Sequence, residues 1–312
     1  MAVQTITSVS DGGRLTVSDL VKNPLFIPTK LLEMIDGMFA AEKVFRNAGA
    51  NPSGVVVYRE GDPLFLEQDI QDVAEFGEIP VGNALLGTPR VAFAVKKALG
   101  VRVSKEMIDE NNIDAVNRQM TALRNTMVRG NDRAFRALAQ DPSIPSTAVA
   151  AAWDGTGKPR GDVMRAIEAI AAAEPDNLPD SQDDSSLGFE ANTLVMHPSM
   201  FIALAENTNY VEVYNGNVAG ENPMLTGALP ANIFGLNVVT TRTWPLDRVL
   251  VCEQGTLGFY SDTRALQFTA LYPEGGGPNG GPRETWRSDA SQKRAMGIDQ
   301  PKAGMWLTGL TS

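Results

Sequence analysis

The stretch RVAFAVKKALGVRVS, Arg90 to Ser104, alternates. Its odd positions Val91, Phe93, Val95, Leu99, Val101 and Val103 are apolar, interrupted only by Lys97, while its even positions Ala92, Ala94, Lys96, Ala98, Gly100, Arg102 and Ser104 are small or polar. Successive side chains of a strand point to opposite faces, so a period of two predicts one strand with one apolar face. Sustained over ~14 residues, the pattern predicts a strand of roughly 45 Å where ~5 to 6 residues are usual. A strand that long projects from its domain, and its apolar face needs a cover from outside.

Immediately downstream the period changes. Ile113, Val116, Met120, Leu123 and Met127 recur every three or four residues and are followed by Phe135 and Leu138, which predicts a helix of about 40 Å from Asn112 to Leu138. Arg118, Arg124, Arg129, Arg133 and Arg136 fall mostly on its other faces. Two readings of them stand: contact with a neighbouring subunit's acids, or an ordinary solvated helix face.

Working outward, Leu31, Ile35, Met38 and Phe45 predict an earlier helix with Pro28 in its first turn, reached by the loop-like SVSDGGRLTVSDLVKNP. After the long helix, QDPSIPS stops it, because two prolines cannot continue it. GDVMRAIEAIAAAE predicts a second helix, with Val163, Ile167 and Ile170 on one face and Asp162 as N-cap. EPDNLPDSQDDSS reads as a surface loop; strand NTLVM, helix PSMFIALAE and strands GLNVVTT, RVLVCE and GTLGFYS follow. YPEGGGPNGGPRE is too rich in Gly and Pro for regular structure, and AGMWLTGL closes the chain as a strand. The sum is an α+β chain.

Composition narrows the chemistry. Of 312 residues 43% are hydrophobic and 21% charged, which is the balance of a folded chain. The single cysteine, Cys252, lies in an apolar run and has no internal disulfide partner, as in a reducing compartment. No apolar run approaches the ~18 residues of a membrane span, and the N-terminal sequence lacks a signal-peptide pattern, so synthesis in the cytoplasm and no membrane partner are expected. The 27 basic and 37 acidic residues give a net charge of −10, which opposes sequence-specific DNA reading.

The candidates for chemistry are few. His197 is the only histidine and Cys252 the only cysteine, too few ligands for a zinc cluster, and no G-x-S-x-G elbow is present to build a Ser-His-Asp triad around His197. Pro198 suits a first helical position, which places His197 at the N-cap, where a ring nitrogen can accept a backbone N–H. WDGTGKPRG resembles a phosphate loop, but Pro159 follows Lys158 where Ser or Thr would hold magnesium. The glycines of EGGGPNGGP lack dinucleotide-binding spacing. Glu60, Asp62, Glu67, Asp69, Asp72, Glu75 and Glu78 form the densest acidic run and read as a solvated or partner-facing surface. No catalytic, metal-binding or cofactor-binding residue is assigned.

The order of elements, with GVRVSKEMIDENNID leading into the long helix, NTLVMHPSMFIALAE, GLNVVTT and the closing DQPKAGMWLTGL, resembles the major capsid proteins of tailed bacteriophages, those of actinobacterial phages in particular. The resemblance spans essentially the whole chain and implies the Hong Kong 97 fold. It implies an N-arm at 1–52 and an extended E-loop at 53–103. A peripheral domain with a long spine helix would occupy 104–150 and 264–312, and an axial domain 151–263.

The same resemblance implies a subunit that self-assembles into hexamers and pentamers of an icosahedral shell around packaged double-stranded DNA. Its partners would be other copies of itself, a separate scaffold protein, a portal, a decoration protein, and DNA held without sequence-specific contact. The E-loop lying on a neighbouring subunit would then supply the outside cover that the alternating stretch needs. Only about 50 residues precede the E-loop, so a separate scaffold protein, or prior removal of a fused scaffolding segment, is expected. Some family members join an E-loop lysine to an asparagine of an adjacent subunit. Residues 61–95 contain no lysine, so no such isopeptide is expected, although Asn279 falls in roughly the partner region. Two rival readings are an encapsulin-type nanocompartment shell and, further off, a cytosolic α/β enzyme with a carboxylate-based site.

Overall fold

A computed structural model describes residues 35, 37–61, 66, 70–84, 86–110, 112–175, 186–207, 209, 232–275, 277 and 280–311. The helix that the early apolar spacing predicted is interrupted among the described residues. Gly37 takes φ +67, a conformation that a continuing helix excludes, and the described helix is α1, Ala40–Val44. Leu31 and Pro28 lie outside the described residues. Ile35, Phe39, Val44 and Phe45 are nevertheless all buried, so the apolar spacing reports a buried face across the break.

Strand β1, Arg46–Ala50, runs parallel to a later strand, and β2, Val55–Glu60, opens the hairpin. The alternating stretch is two strands, not one: β3, Thr88–Phe93, and β4, Val95–Ser104. Ala94 separates them, its N–H donating to the Gly54 carbonyl at 2.9 Å. β3 pairs with β2 as a two-stranded ribbon, whereas β4 joins the large sheet. The odd-even facing carries through the break because Ala94 is a single residue between them.

Ser104 caps α2, Lys105–Asp109, and Asn112 caps α3, Ile113–Ala139, its Oδ1 accepting the Ala115 N–H at 3.1 Å. This is the long helix that the three-four spacing predicted, displaced by one residue at each end. β5, Ser146–Ala148, leads to α4, Pro159–Ala171, which starts three residues before the expected cap. Asp162 is therefore not an N-cap. It is buried one turn into α4, where its carboxylate accepts from Trp153 Nε1 at 3.0 Å and from Arg165 at 3.1 Å.

The remaining elements are β6, Thr193–Met196; α5, Met200–Glu206; β7, Asn232–Ile233; β8, Leu236–Thr240; β9, Arg248–Cys252; β10, Gly258–Phe268; β11, Tyr272–Pro273; β12, Thr285–Ile298; and β13, Gly304–Thr308. β5-β13-β9-β6-β8-β7 form a six-stranded sheet. In the other sheet, of five strands, the order β1-β10-β12-β11 holds and β4 pairs with β12 from Thr285↔Ser104 to Arg294↔Val95.

Two layers cover the five-stranded sheet. Val116, Met120, Leu123 and Met127 of α3 pack with Val103, Phe268, Leu271 and Ala290 on one face. On the other, Ala92 of the hairpin packs with Phe259 and Ala295, against Val56 and Tyr58. Tyr58 and Phe259 meet edge to face with centroids 5.0 Å apart. A Cβ at Gly297 would sit 2.8 Å from the Phe259 ring and 3.0 Å from that of Tyr58, so only glycine admits this approach.

An aromatic column ties α3 to the six-stranded sheet. Phe135 stacks on Trp244 at 5.3 Å, Trp244 on Trp306 at 5.1 Å, and Trp306 Nε1 donates to the Ala139 carbonyl at 2.8 Å. Buried Arg294 does the same for α1: it bonds Asp262 at 2.7 Å and Glu42 at 2.6 Å and lies 4.5 Å from the Tyr260 ring centroid. With Arg294 buried between two acids, removing both would leave a desolvated charge unpaired.

Candidate assembly surface

The β2–β3 ribbon has two unlike faces. Directly paired residues share a face, so Val55 with Phe93 and Val57 with Val91 point one way, while Val56 with Ala92 and Tyr58 with Arg90 point the other. The second face is the one laid on β10 and β12. The first is bare: Val57 is 72% exposed and Phe93 68%, with Val55 and Val91 also exposed. At ~25 cal/mol per Å² of apolar surface, covering these four exposed side chains would contribute on the order of 5 to 8 kcal/mol. A contiguous apolar stripe of this kind marks an interaction site, because isolated monomers seldom leave one open.

Beyond the ribbon, the turn region 70–84 is exposed throughout apart from half-buried Gly82. Ile70, Phe76, Ile79 and Val81 alternate there with Asp72, Glu75 and Glu78. Of the other predicted acids, Glu60 is bound to Arg90 at 2.6 Å, and Asp62, Glu67 and Asp69 lie outside the described residues. Hydrogen bonding to Glu60 pushes the Arg90 guanidinium above its ordinary range.

On α3 the exposed positions Asp114, Arg118, Ala122, Asn125, Arg129, Arg133 and Ala137 fall three or four apart and make one ridge. Arg118 Nε donates to the Asp114 carbonyl, but among the described residues Arg118, Arg129 and Arg133 have no ion pair. Arg124 is half-buried with its Nε unpartnered, and Arg136 bonds the Thr243 carbonyl at 2.7 Å. The five arginines therefore divide: three on the ridge, two turned toward the body.

The residues that looked like chemistry are elsewhere and are already occupied. His197 sits in the turn between β6 and α5, where Nδ1 accepts the Ser199 N–H at 3.1 Å. The expected backbone bond is present, although α5 begins at Met200 rather than Pro198. Lys158 and Pro159 start α4; the adjoining Gly157 loop is filled by protein, a Cβ there meeting the Ala152 carbonyl at 2.5 Å, and Asn207 Nδ2 donates to the Gly157 carbonyl at 3.0 Å. Cys252 is fully buried and its thiol is pushed up to about 12, by burial first and by Glu253 second. Asn279 is outside the described residues.

A cavity of about 240 Å³ opens between β5, β13 and α4, lined by Thr147, Val149, Ala166, Ala169, Met305 and Leu307 among others. Asp162 is the one carboxylate on its wall, and it is engaged by Trp153 and Arg165. Of the acids that a carboxylate-based enzyme would use, the described Asp72, Glu75 and Glu78 lie instead exposed on the hairpin's outer turn. Among the described residues no three or more His, Cys, Asp or Glu side chains cluster as metal ligands, and no helix is long and apolar enough to cross a membrane.

Sequence reading missed the cover that the bare face requires, beyond stating that one was needed. The alternation of Arg90–Ser104 gave its apolar side; the matching Val55 and Val57 could have been found from GVVVYRE, which has the same parity.

Comparison with known proteins gives the fold a context. The chain is similar in structure to a virus-like particle protein from Pyrococcus furiosus (TM-score 0.60, 13% identity, covering 92% of this chain and 100% of that one). It is also similar to chains from Mycobacterium phage Bobi (TM-score 0.58, 14% identity, 88% and 91% covered) and Microbacterium phage Oxtober96 (TM-score 0.58, 17% identity, 85% and 89% covered). At these identities the likeness establishes the fold, which is the Hong Kong 97-type α+β fold that the resemblance implied. No curated protein matches the sequence. The model of the family described as "Phage capsid protein" matches residues 88–303, from the first residue of β3 to the turn before β13, and on that match the chain belongs to the phage capsid protein family.

Proposed function

We propose that the chain is the major capsid subunit of a tailed phage, forming hexamers and pentamers whose hairpins overlap from copy to copy and close an icosahedral shell around packaged double-stranded DNA. The observation that carries this reading is the bare apolar face of Val55, Val57, Val91 and Phe93 on a hairpin whose other face is already packed. A subunit that tiles a shell meets copies of itself on every side, so each such face finds the same partner surface by symmetry.

The domain division follows the resemblance: N-arm 1–52, E-loop 53–103 with β4 as its base, peripheral domain 104–150 and 264–312, axial domain 151–263. We take the protein to be non-enzymatic, assembled in the host cytoplasm with a separate scaffold, portal and decoration protein. The acidic balance of −10 supports a wall that contains DNA without gripping it. The absence of lysine from 61–95 supports shells without lysine–asparagine cross-links, and Lys97, just beyond, donates to the Gly130 carbonyl of its own chain at 2.9 Å.

Electron microscopy of particles purified from cells making this chain tests the reading. Closed shells with fivefold and sixfold capsomers and a DNA-filled interior are expected; a protein that stays a dispersed monomer, or that forms only small uniform shells loaded with enzyme, contradicts it.

A further inference from the structure

The six-stranded sheet ends on one side at β5, and among the described residues that edge is open. β5 pairs only with β13, and Ser146, Thr147 and Ala148 are all exposed. The ladder shows which backbone groups are left over. The Trp306 N–H donates to the Pro145 carbonyl at 2.8 Å and the Val149 N–H to the Thr308 carbonyl at 3.0 Å, so the odd positions turn their polar groups toward β13. Ser146 and Ala148, of the other parity, turn theirs outward, each with one N–H and one C=O in extended geometry. An edge of this kind is a template for one more strand.

The cavity between β5, β13 and α4 lies beside that edge. Leu307 is in register with Thr147 and packs with Val163, Ala166 and Ile170 of α4, and the Thr147 hydroxyl donates to Met305 Sδ at 3.7 Å. Thr147, Met305 and Leu307 therefore share the face that α4 covers. A residue of an added strand placed opposite Thr147 points to that same face and so into the cavity. About 150 Å³ of apolar cavity takes a benzene ring, so the 240 Å³ here has room for a Leu, Met or Phe side chain. The rim is cationic. Lys158, Asp162, Arg165 and Ala169 are spaced four, three and four apart and make one ridge of α4. Asp162 is buried and already bonded to Trp153 and Arg165, whereas the Arg165 side chain is 66% exposed. Lys158 and Arg160 are exposed too, with no ion pair among the described residues.

We propose that β5 and this cavity dock an extended segment of a second protein, which adds a strand along Ser146–Ala148 and places one apolar side chain in the cavity. Acids two residues to either side of that anchor share its face and meet Arg165 and Lys158. Main-chain bonds of the added strand supply affinity whatever its sequence, while the cavity and the rim select the side chains. A second copy of this chain pairing through its own β5 fits less well, because two identical cationic rims would come together. The site is on the other sheet from the hairpin and does not depend on the shell reading.

Fluorescence anisotropy of a labelled peptide titrated with free subunits of the full chain tests it. The probe is Thr-Glu-Thr-Leu-Thr-Glu-Thr, whose Leu and Glu side chains share one face when extended. Half-saturation below about 1 mM is expected, and three altered peptides that leave the protein untouched should each bind at least about tenfold more weakly. One carries Asp for the Leu, one carries Lys for both Glu, and one is N-methylated at the Leu and both adjoining Thr, which removes the donors of an added strand in either direction. Two protein variants should weaken the parent peptide by the same factor. Ala169→Trp fills the cavity from an exposed position, and Ala148→Pro deletes one outward N–H. Hydrogen exchange gives a readout that loose binding would not move: the Ser146 and Ala148 amides should exchange at least about tenfold more slowly with peptide bound. No binding by about 1 mM, binding indifferent to N-methylation or to Ala169→Trp, or unslowed exchange at Ser146 and Ala148 overturns the docking site. Subunit dimers that Ala148→Pro abolishes, with no peptide binding, would give the edge to a second copy and overturn it as well.

Discussion

Strands β9, RVLVC, and β3, TPRVAF, both carry apolar residues, yet they live in different surroundings. In β9, Val249, Leu250, Val251 and Cys252 are all buried, flanked by β13 and β6 and covered on both faces by side chains of the same chain. In β3 and the residues beside it, Ala92 is buried and the neighbours on either side, Val91 and Phe93, are exposed. One strand completes its burial within the chain; the other completes half. Apolar patterning thus specifies two kinds of contact with the same residue types, and only the three-dimensional arrangement separates the intramolecular from the intermolecular.

The sharpest way to break the comparison is to damage each region and read both stability and assembly. Trp306→Ala removes the end of the aromatic column and leaves the Ala139 carbonyl without its donor, at a cost of about 3 to 5 kcal/mol. Thermal unfolding of the isolated subunit should show that loss, together with low soluble yield. Arg294→Met comes next: it strips the partner from Asp262 and Glu42 and should destabilise by about 2 to 4 kcal/mol, discounted because both acids are partly exposed. Val57→Asp with Phe93→Asp should behave in the opposite sense. Its effect on unfolding stays within about 0.5 kcal/mol, as for exposed sites in general, while sedimentation shows free subunits in place of shells.

The smallest expected effect concerns Lys97, at the base of the hairpin. Burial, and then the charge of Arg294, push its ammonium down to about 8. Between that value and the ordinary lysine range the unfolded chain holds more protons than the folded one, so stability rises with pH over that window. Because the raised Cys252 thiol loses stability above its ordinary range in both proteins, the readout is a difference: by denaturant unfolding, wild type should gain stability relative to Lys97→Met from about pH 8 to 10.

How much of this was legible depended on where the apolar residues fall. The helix α3 was readable because Val116, Met120, Leu123 and Met127 put one apolar residue on the core face every turn. β12 was not, although it is the longest strand and the centre of its sheet. Its buried positions include Ser288, Ala290, Gln292 and Arg294, so its period of two is written in small and polar residues that a hydrophobicity pattern does not register. The break at Ala94 and the interruption at Gly37 depend on distant backbone partners or on a single glycine's conformation, and neither disturbs the apolar spacing. For the assembly surface, sequence gave the apolar side of the hairpin and the existence of acids and arginines. That the acids project from the outer turn while three of the five arginines share a free ridge on the far side of the sheet required the fold.

The central claim is that the bare face of the hairpin is covered by another copy of the same chain. A cryo-electron microscopy reconstruction of assembled particles, at a resolution that traces side chains, tests it directly. The account predicts that Val55, Val57, Val91 and Phe93 are buried against a neighbouring subunit at every capsomer position. Shells in which that face remains open to solvent, or is covered by a different protein throughout, would contradict it.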